Sequence, residues 1–223
     1  MIENKPILSI ETSGSICSTS LFFSDEKYFL SSISLKNSHS EKLFNQLEFL
    51  FHQAEIERHD ISSVAVSGGP GSFTGLRIGM AAAKGIALGV NVPIVNVPTF
   101  EALAYQLSSN LEEGSEFIIA NKVNKDEVYY AKFQIRANNY IFTEDLTILP
   151  NGDFINKAIN IKTFGDAIRQ LEKIKNKHIF NSPSALWIAK WALKFGRKKL
   201  IYDFDYLEPY YIKNFQVKER QRK

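Results

Sequence analysis

The sequence is poor in several residue types, and each scarcity excludes a class of protein. Its 223 residues include one cysteine, Cys17, so no intramolecular disulfide can form and no cysteine-based zinc site is supported. The formal net charge of +3 is too small by itself to indicate a nucleic-acid-binding protein. No charged N-terminal segment precedes an apolar core, and no apolar run reaches membrane-spanning length. We therefore expect a cytoplasmic protein without membrane contact.

What remains is the composition of an ordinary globular protein. Hydrophobic residues make up 44% of the chain and charged residues 23%, and the length of 223 residues is enough for one large domain or two small ones sharing a core. Part of the basic excess lies in residues 218–223, KERQRK, which we expect to form a solvated tail. The best boundary candidate lies around residues 98–107. We therefore divide the chain into an N-terminal domain, 1–100, and a smaller C-terminal α/β domain, 101–223.

Hydrophobic periodicity predicts the order of elements in the first half. Short strands are expected over 6–10, 16–23 and 28–35, joined by tight turns into an antiparallel meander. A helix follows to residue 54, with Ser38 as cap and Glu41 completing a capping box. Next come a buried strand over 63–66, a glycine-rich turn, a helix to residue 89, a strand over 93–97 and a helix from Pro98. This order predicts an α/β fold, whose first half has ribonuclease-H-like topology.

The second half gives weaker signals. Strands are expected over 117–120, 127–135 and 140–148, with a turn at 138–139. Ser182, Pro183 and Ser184 predict the start of a helix that ends at Gly196. Cys17 lies in an apolar strand, so we expect a buried, inert thiol.

Residues 67–79, SGGPGSFTGLRIG, form the most informative segment, because a buried strand precedes them and an alanine-rich helix follows. Gly69 and Gly71 allow positive φ and a close approach of the backbone to a ligand, and Ser72 or Thr74 can cap the helix. A helix N-terminus suits a phosphate or a carboxylate. The alternative is a tight connection without a ligand. The segment is neither a Walker loop nor a dinucleotide fingerprint, since it lacks a Lys-Ser/Thr pair and the required glycine spacing.

Glu11 follows the first predicted strand and precedes Ser13 and Gly14. In an actin-like fold a carboxylate here would hold a metal-nucleotide. The alternative is a carboxylate that accepts hydrogen bonds from its own turn. The second half offers no further carboxylate motif with a glycine-rich turn, so we predict no catalytic residue and no metal site. The candidate nucleotide- or anion-binding residues are Glu11, Ser13, Gly69, Gly71 and Ser72.

Among the histidines, His39 is the strongest single candidate for catalysis or metal binding, but Leu43 occupies the position four residues on. The i, i+4 pair needed for two ligands on one helical face is therefore missing. A lone histidine at a helix start is more often a capping or surface residue. His52, His59 and His178 are scattered, and we give a Ser-His-Asp arrangement little weight.

The helix after the glycine-rich turn carries small residues every four positions, at 75, 79, 83 and 87. A glycine inside a helix costs roughly 1 kcal/mol relative to alanine, so the close approach of another element should offset it. Either a partner helix or the core of this chain can supply that approach. We predict that this helix and the helix over 38–54 form a partner surface. The predicted partner-binding residues are His39, Leu43, Leu47, Leu50, Gly75, Arg77, Gly79, Met80, Ala83 and Lys84.

At these places the sequence resembles the TsaB (YeaZ) family. The matching segments are ILSIETS at 7–13 with CSTSL at 17–21, HSEKL at 39–43, GPGSFTGLRIG at 69–79, and EVYYA at 127–131 with EPYYIK at 208–213. They cover the first hundred residues well and the rest in patches. Two departures weaken a nucleotide site: Glu11 stands where the family usually has Asp, and residues 121–123, NKV, stand where it usually has Asp-Ala-Arg.

The resemblance implies a two-lobed actin-like (ASKHA) fold with a reduced second lobe, and a non-catalytic scaffold or activator subunit. Its direct partner would be TsaD, the enzyme that forms N6-threonylcarbamoyladenosine next to the anticodon of tRNAs reading codons that begin with adenine. The ATPase TsaE would join that pair, and tRNA would be reached indirectly through the complex. The chain alone would bind no cofactor, whereas the complex would bind ATP or ADP and Mg²⁺. The isolated chain would be able to form a homodimer.

Two other functions stay open beside the scaffold. An autonomous actin-like ATPase or kinase is motivated by Glu11 and the glycine-rich turn. A peptidase, a label once attached to the wider family, is the least supported, because the sequence shows no convincing nucleophile–base pair or metal pair.

Overall fold

The computed structural model describes residues 5–34, 39–167, 177–178 and 180–212, without the side chains of residues 39–41, 177 and 178. The predicted cap Ser38 and the basic tail lie outside the described residues, as do the side chains of His39 and His178. The strands are β1 (Ile7–Glu11), β2 (Ile16–Phe22), β3 (Tyr28–Ser34), β4 (Ser63–Gly69), β5 (Ile94–Pro98), β6 (Glu116–Lys122), β7 (Glu127–Arg136), β8 (Asn139–Pro150), β9 (Lys162–Phe164) and β10 (Lys177–His178). The helices are α1 (His39–Ala54), α2 (Phe73–Val90), α3 (Thr99–Ser108), α4 (Asn151–Ala158) and α5 (Ala185–Phe195), with a 3-10 turn at Arg58–Asp60.

One five-stranded sheet, in the order β3-β2-β1-β4-β5, organises the first half. β1, β2 and β3 pair antiparallel, whereas β4 runs parallel to β1 and β5 parallel to β4. Parallel neighbours need crossover connections, which α1 and α2 provide. The meander followed by alternating helices and strands is the predicted ribonuclease-H-like order. The α/β, actin-like fold class is therefore confirmed.

Helices cover both faces of this sheet, so β4 is buried at every position and β1 from Leu8 onward. Leu8 and Ile10 of β1 pack with residues of α1 and α2 on one face. On the other face Ile7 packs with residues of α5, which contacts β1 and β2. Alternation along β1 thus separates the two helical layers.

Residues beyond 100 also pack on the first sheet or pair with it. The helix α5 packs on it, Ile201 forms a bridge with Ile94, and Phe204 and Leu207 pack against its core. The predicted division into 1–100 and 101–223 therefore leaves out residues that complete the first lobe. The hydrophobic pattern of residues 185–195 predicts the helix α5 but does not show which sheet it packs against.

The second sheet has the order β10-β9-β6-β7-β8. β6, β7 and β8 pair antiparallel, and β9 runs parallel to β6. Residues of α3 pack on one face with Phe117 and Phe133, and Phe154 of α4 packs on the other with Ile118 and Tyr130. The turn predicted at 138–139 lies one residue earlier, at Ala137 and Asn138, which have φ of 52° and 54°. The strands β6–β8 were expected, whereas α4, β9 and β10 were not.

By length and composition alone, α2 qualifies among the described helices as one that could cross a membrane. The expectation that no apolar run reaches that length is therefore corrected. The core helix of a folded domain meets the same criteria, and Ala83 and Ala87 of α2 are fully buried against the sheet.

Candidate functional site

The small-residue stripe predicted to meet a partner faces the core of this chain instead. Gly75, Gly79 and Ala83 are buried. A Cβ added at Gly75 would collide with the carbonyl oxygen of Thr12, and one added at Gly79 with the Thr12 hydroxyl. The end of β1 thus supplies the close approach that offsets the glycines. Of the two alternatives for the stripe, packing within the core is the one observed, and the surface placement of these residues is wrong.

Three leucines and a methionine from the predicted partner surface are buried as well. Leu43 and Leu50 of α1 and Met80 of α2 are at most 3% exposed, and Leu47 is 4% exposed. They form the contact of the two helices with the sheet, because the apolar side of an amphipathic helix packs on the core. The placement of Leu43, Leu50 and Met80 on the outer surface is therefore wrong too, whereas Leu47 also reaches the groove described below.

Arg77 and Lys84 lie on a flank of α2 and contact residues of the C-terminal segment. Lys84 Nζ donates to the backbone carbonyl of Asp205 at 2.8 Å. The Arg77 guanidinium lies 3.9 Å from the ring centroid of Phe73, and its Nε donates to the Tyr211 hydroxyl at 3.3 Å. Both cations are thus engaged within the chain.

The outer side of α1 and α2 forms an apolar groove of about 600 Å³. Phe44, which is 55% exposed, and Ile86 contribute apolar walls, and of the predicted partner-binding residues with described side chains Leu47 alone lines it. Two exposed charged residues, Glu48 and Arg58, also line the groove, with 3.9 Å between Glu48 Oε1 and Arg58 Nη2. We call this surface the α1–α2 groove; its lining residues are Phe44, Leu47, Glu48, Phe51, Arg58, Ile78, Ala81, Ala82, Gly85, Ile86, Gly89 and Val90.

A second stripe of small residues lies on this outer side, at Ala81, Gly85 and Gly89. A Cβ added at Gly85 or Gly89 would meet no atom within 4 Å. Nothing in the described chain therefore offsets the cost of these helical glycines, which is roughly 1 kcal/mol each relative to alanine. Sequence reasoning missed this stripe, although its spacing by four was the available signal.

A cleft of about 1040 Å³ opens between the two halves. Ser13, Gly71 and Ser72 line it from the first half, and Lys122 and Asp166 are among the residues that line it from the second. Three of the five candidate nucleotide-binding residues are therefore brought together at this cleft.

The turn beside the cleft satisfies part of its own hydrogen bonding. The Ser72 amide donates to the Ser13 carbonyl at 2.7 Å, and Ser72 Oγ caps α2 by accepting from the Gly75 amide at 3.3 Å. A Cβ at Gly71 would lie 2.7 Å from the Ser13 carbonyl, so glycine is required there for the close approach of two turns. The predicted cap is confirmed, and these contacts are those of a tight connection.

Glu11 does not reach the cleft, because its side chain is fully buried beneath it. Its Oε1 accepts 2.5 Å hydrogen bonds from both the amide and the hydroxyl of Ser13. Burial raises the pKa of the Glu11 carboxyl to about 7, and the Ser13 hydrogen bonds oppose part of that rise. Glu11 Oε1 therefore serves its own turn, which was the alternative to holding a metal-nucleotide, whereas Oε2 is buried without a hydrogen-bond partner among the described residues.

Gly69 also lies away from the cleft. Its φ is 104°, and its amide donates to the Thr99 hydroxyl at 3.1 Å. It borders a smaller pocket together with Asn96, Glu101 and Tyr210. Its positive φ explains the glycine, as predicted, but its place in an anion site is corrected.

The side chains that a peptidase would need are not arranged for catalysis in the described residues. Cys17 is 2% exposed, and burial raises the pKa of its thiol to about 11, so the thiolate is scarce at neutral pH. His59 pairs with Asp60 at 3.6 Å, and His52 contacts Gln53 at 3.5 Å. Within the described part of the chain, no cluster of His, Cys, Asp or Glu that could hold a metal is found.

Comparison with known proteins agrees with this architecture. The family described as "TsaD: tRNA N6-adenosine threonylcarbamoyltransferase" matches residues 33–188. A protein of Buchnera aphidicola subsp. Baizongia pistaciae named "tRNA threonylcarbamoyladenosine biosynthesis protein TsaB" is 34% identical over 160 residues, covering 71% of this chain and 72% of the relative. A TsaB of Haemophilus influenzae is 23% identical, covering 96% and 95%. The solved structure titled "YeaZ from Pseudomonas aeruginosa" superposes with a TM-score of 0.75 at 19% identity, covering 93% of this chain and all of the other.

Fold and relatives together define an actin-like protein of the TsaD type. Within that class, the chain belongs to the TsaB (YeaZ) family, because a TsaB relative above 30% identity aligns over more than two thirds of both chains.

Proposed function

We propose that this chain acts in the biosynthesis of tRNA threonylcarbamoyladenosine as a non-catalytic scaffold or activator subunit. The proposal rests on one observation, the exposed apolar α1–α2 groove with its unopposed glycines. Large exposed apolar patches on folded proteins are commonly sites at which another protein binds. Gly85 and Gly89 would let the backbone of a partner helix approach closely.

TsaD is the proposed direct partner, with TsaE joining the pair and tRNA reached through the complex. The family description that matches residues 33–188 is itself that of TsaD, so helices equivalent to α1 and α2 are expected in the partner. Two related helix pairs facing each other would bury both grooves together. The same pairing between two copies of this chain is the proposed source of a homodimer when TsaD is absent.

Co-purification of the chain with TsaD from its own organism, with and without ATP, tests the proposal. In Gly85→Leu the new side chain fills the groove, and we expect at least about a tenfold loss of affinity, which corresponds to about 1.4 kcal/mol. Gly152→Leu in α4 is the matched control, because a Cβ at Gly152 also meets no atom within 4 Å but lies far from the groove in the second sheet layer. Equal affinity of both variants for TsaD would refute the docking assignment.

The interlobe cleft supports a second candidate function, an ATPase or kinase. Its volume of about 1040 Å³ suits a nucleotide. An argument against an enzyme is that the Glu11 carboxyl is buried and that its Oε1 accepts hydrogen bonds from the amide and the hydroxyl of Ser13. We therefore propose that the chain alone binds no nucleotide, and that ATP or ADP and Mg²⁺ enter with the complex. Calorimetric titration of the isolated protein with Mg-ATP should give no heat of binding, and a saturable signal would favour the enzyme.

A further inference from the structure

A basic surface lies at the C-terminal end of α5, on the face of the first sheet opposite the α1–α2 groove. Residues 180–202 contain five basic residues and no acidic one, in a chain whose net charge is only +3. Lys190 pairs with Asp25 at 2.8 Å. Lys194, Arg197, Lys198 and Lys199 are exposed, and none of them forms an ion pair with a carboxylate in the part of the chain that the structure describes. We call these four the α5 basic surface.

Aromatic rings hold the lysines of this region in place. Lys194 Nζ lies 4.6 Å from the ring centroid of Tyr105, and Lys199 Nζ lies 4.9 Å from that of Trp191. Tyr105 in turn packs edge-on against Trp187, with centroids 5.1 Å apart. Cations held over rings lose less side-chain freedom when they bind an anion than freely rotating lysines do.

Local structural roles account for only part of this charge. Lys194 lies in the last turn of α5, where a cation complements the helix dipole. Arg197 Nε donates to the Leu193 carbonyl at 3.1 Å, which satisfies one of the free carbonyls at the helix end. Lys198 and Lys199 follow the end of the helix and have no such role. The remaining guanidinium and ammonium donors of all four are exposed to solvent, where a ligand with several negative charges could reach them together.

We propose that the α5 basic surface binds the phosphate backbone of RNA. Successive basic residues without interspersed acids are the electrostatic pattern of contact with a nucleic-acid backbone. A membrane is the less suitable ligand, since Trp191 is 1% exposed and the rings pack against one another rather than protruding. That this RNA is tRNA rests on the proposed function.

This surface and the α1–α2 groove lie on opposite faces of one sheet, since Leu8 packs with the helices of the groove and Ile7 with α5. A partner in the groove would leave the α5 basic surface exposed. RNA bound there would therefore contact this chain directly, in addition to contacts made by the partner.

The test compares two variants with equal loss of charge, in the full chain alone and bound to TsaD. One replaces Lys194, Arg197, Lys198 and Lys199 by Gln. The control replaces four exposed, dispersed cations by Gln, at Lys5, Lys27, Arg136 and Lys162. Fluorescence anisotropy with labelled unmodified tRNA is followed across a series of KCl concentrations.

The surface variant should bind tRNA about tenfold or more weakly than the control, and the slope of log affinity against log salt should fall by roughly three to four. Equal behaviour of the two variants would overturn the proposal. Loss of binding to anionic lipid vesicles with unchanged binding to tRNA would overturn it in favour of a membrane. Gly85→Leu should keep the RNA affinity of the lone chain, and the surface variant should keep TsaD docking, so a failure of either proposal is recognised separately.

Discussion

The hydroxyl of Thr12 donates a 2.8 Å hydrogen bond to the carbonyl oxygen of Gly75, joining the end of β1 to the first turn of α2 across 63 residues of sequence. The same approach leaves no room for a Cβ at Gly75, which would collide with the Thr12 carbonyl. The position of α2 on the sheet, and with it the direction of both small-residue stripes, is thus fixed by its contact with Thr12.

Opposite effects on stability are expected at the two stripes. Gly75→Ala should lower the free energy of unfolding by about 1–3 kcal/mol, because the methyl group would push α2 away from backbone that cannot move freely. Gly85→Ala should raise it by about 0.5–1 kcal/mol, because its Cβ meets open space and alanine favours the helix. Urea unfolding of both variants beside the parent protein measures the difference. Similar changes of the same sign would contradict the assigned inner and outer faces.

Sequence periodicity identified most elements but not the direction in which α2 faces. The stripes at 75, 79, 83 and 87 and at 81, 85 and 89 have the same spacing, so the pattern alone could not show which one packs inward. The choice is made by Thr12, a residue far away in sequence. In the same way, Ser13, Gly71 and Ser72 of the predicted nucleotide- or anion-binding set line one cleft, whereas the burial of Glu11 beneath it depends on packing that no local pattern records.

The missed elements are short or weakly patterned. The eight residues of α4, NGDFINKA, bury only Phe154 and Ala158, which is too few to establish a helical period. β9 has three residues. It joins the second sheet by pairing parallel to β6, and the sequence of one short strand does not show which strand it pairs with.

Stability should fall with rising pH because of Glu11. Its pKa of about 7 in the folded protein exceeds the ordinary value of 4.5, so the folded state favours the protonated carboxyl. The resulting stabilisation is fully present below about pH 4.5 and is lost as the pH rises through 7. Between pH 5 and 8 we expect a loss of about 2–3 kcal/mol from this group, at about 1.4 kcal/mol per pKa unit.

Unfolding measured at several pH values in Glu11→Gln tests this prediction. The variant carries a neutral amide at the same position, so its stability should depend less on pH over that window. Glu112→Gln, which removes an exposed carboxylate, should leave the pH dependence of the parent protein unchanged. Parallel curves for Glu11→Gln and the parent protein would show that Glu11 titrates normally.

A hydrogen-bonded group ties α3, β8 and α5 together around Tyr140. The Tyr140 hydroxyl donates to Glu101 Oε2 at 2.7 Å and accepts from Trp191 Nε1 at 3.0 Å. In Tyr140→Phe the indole N–H of Trp191 loses its acceptor, and Trp191 is 1% exposed, so water cannot readily replace it. We expect a loss of about 1–3 kcal/mol in the free energy of unfolding.

Tyr28→Phe, on an exposed side chain of β3, is the control and should change the free energy of unfolding by less than about 0.5 kcal/mol. If the group is coupled, Trp191→Phe combined with Tyr140→Phe should cost less than the two single variants together, and strict additivity would show that the hydroxyl and the indole do not depend on each other.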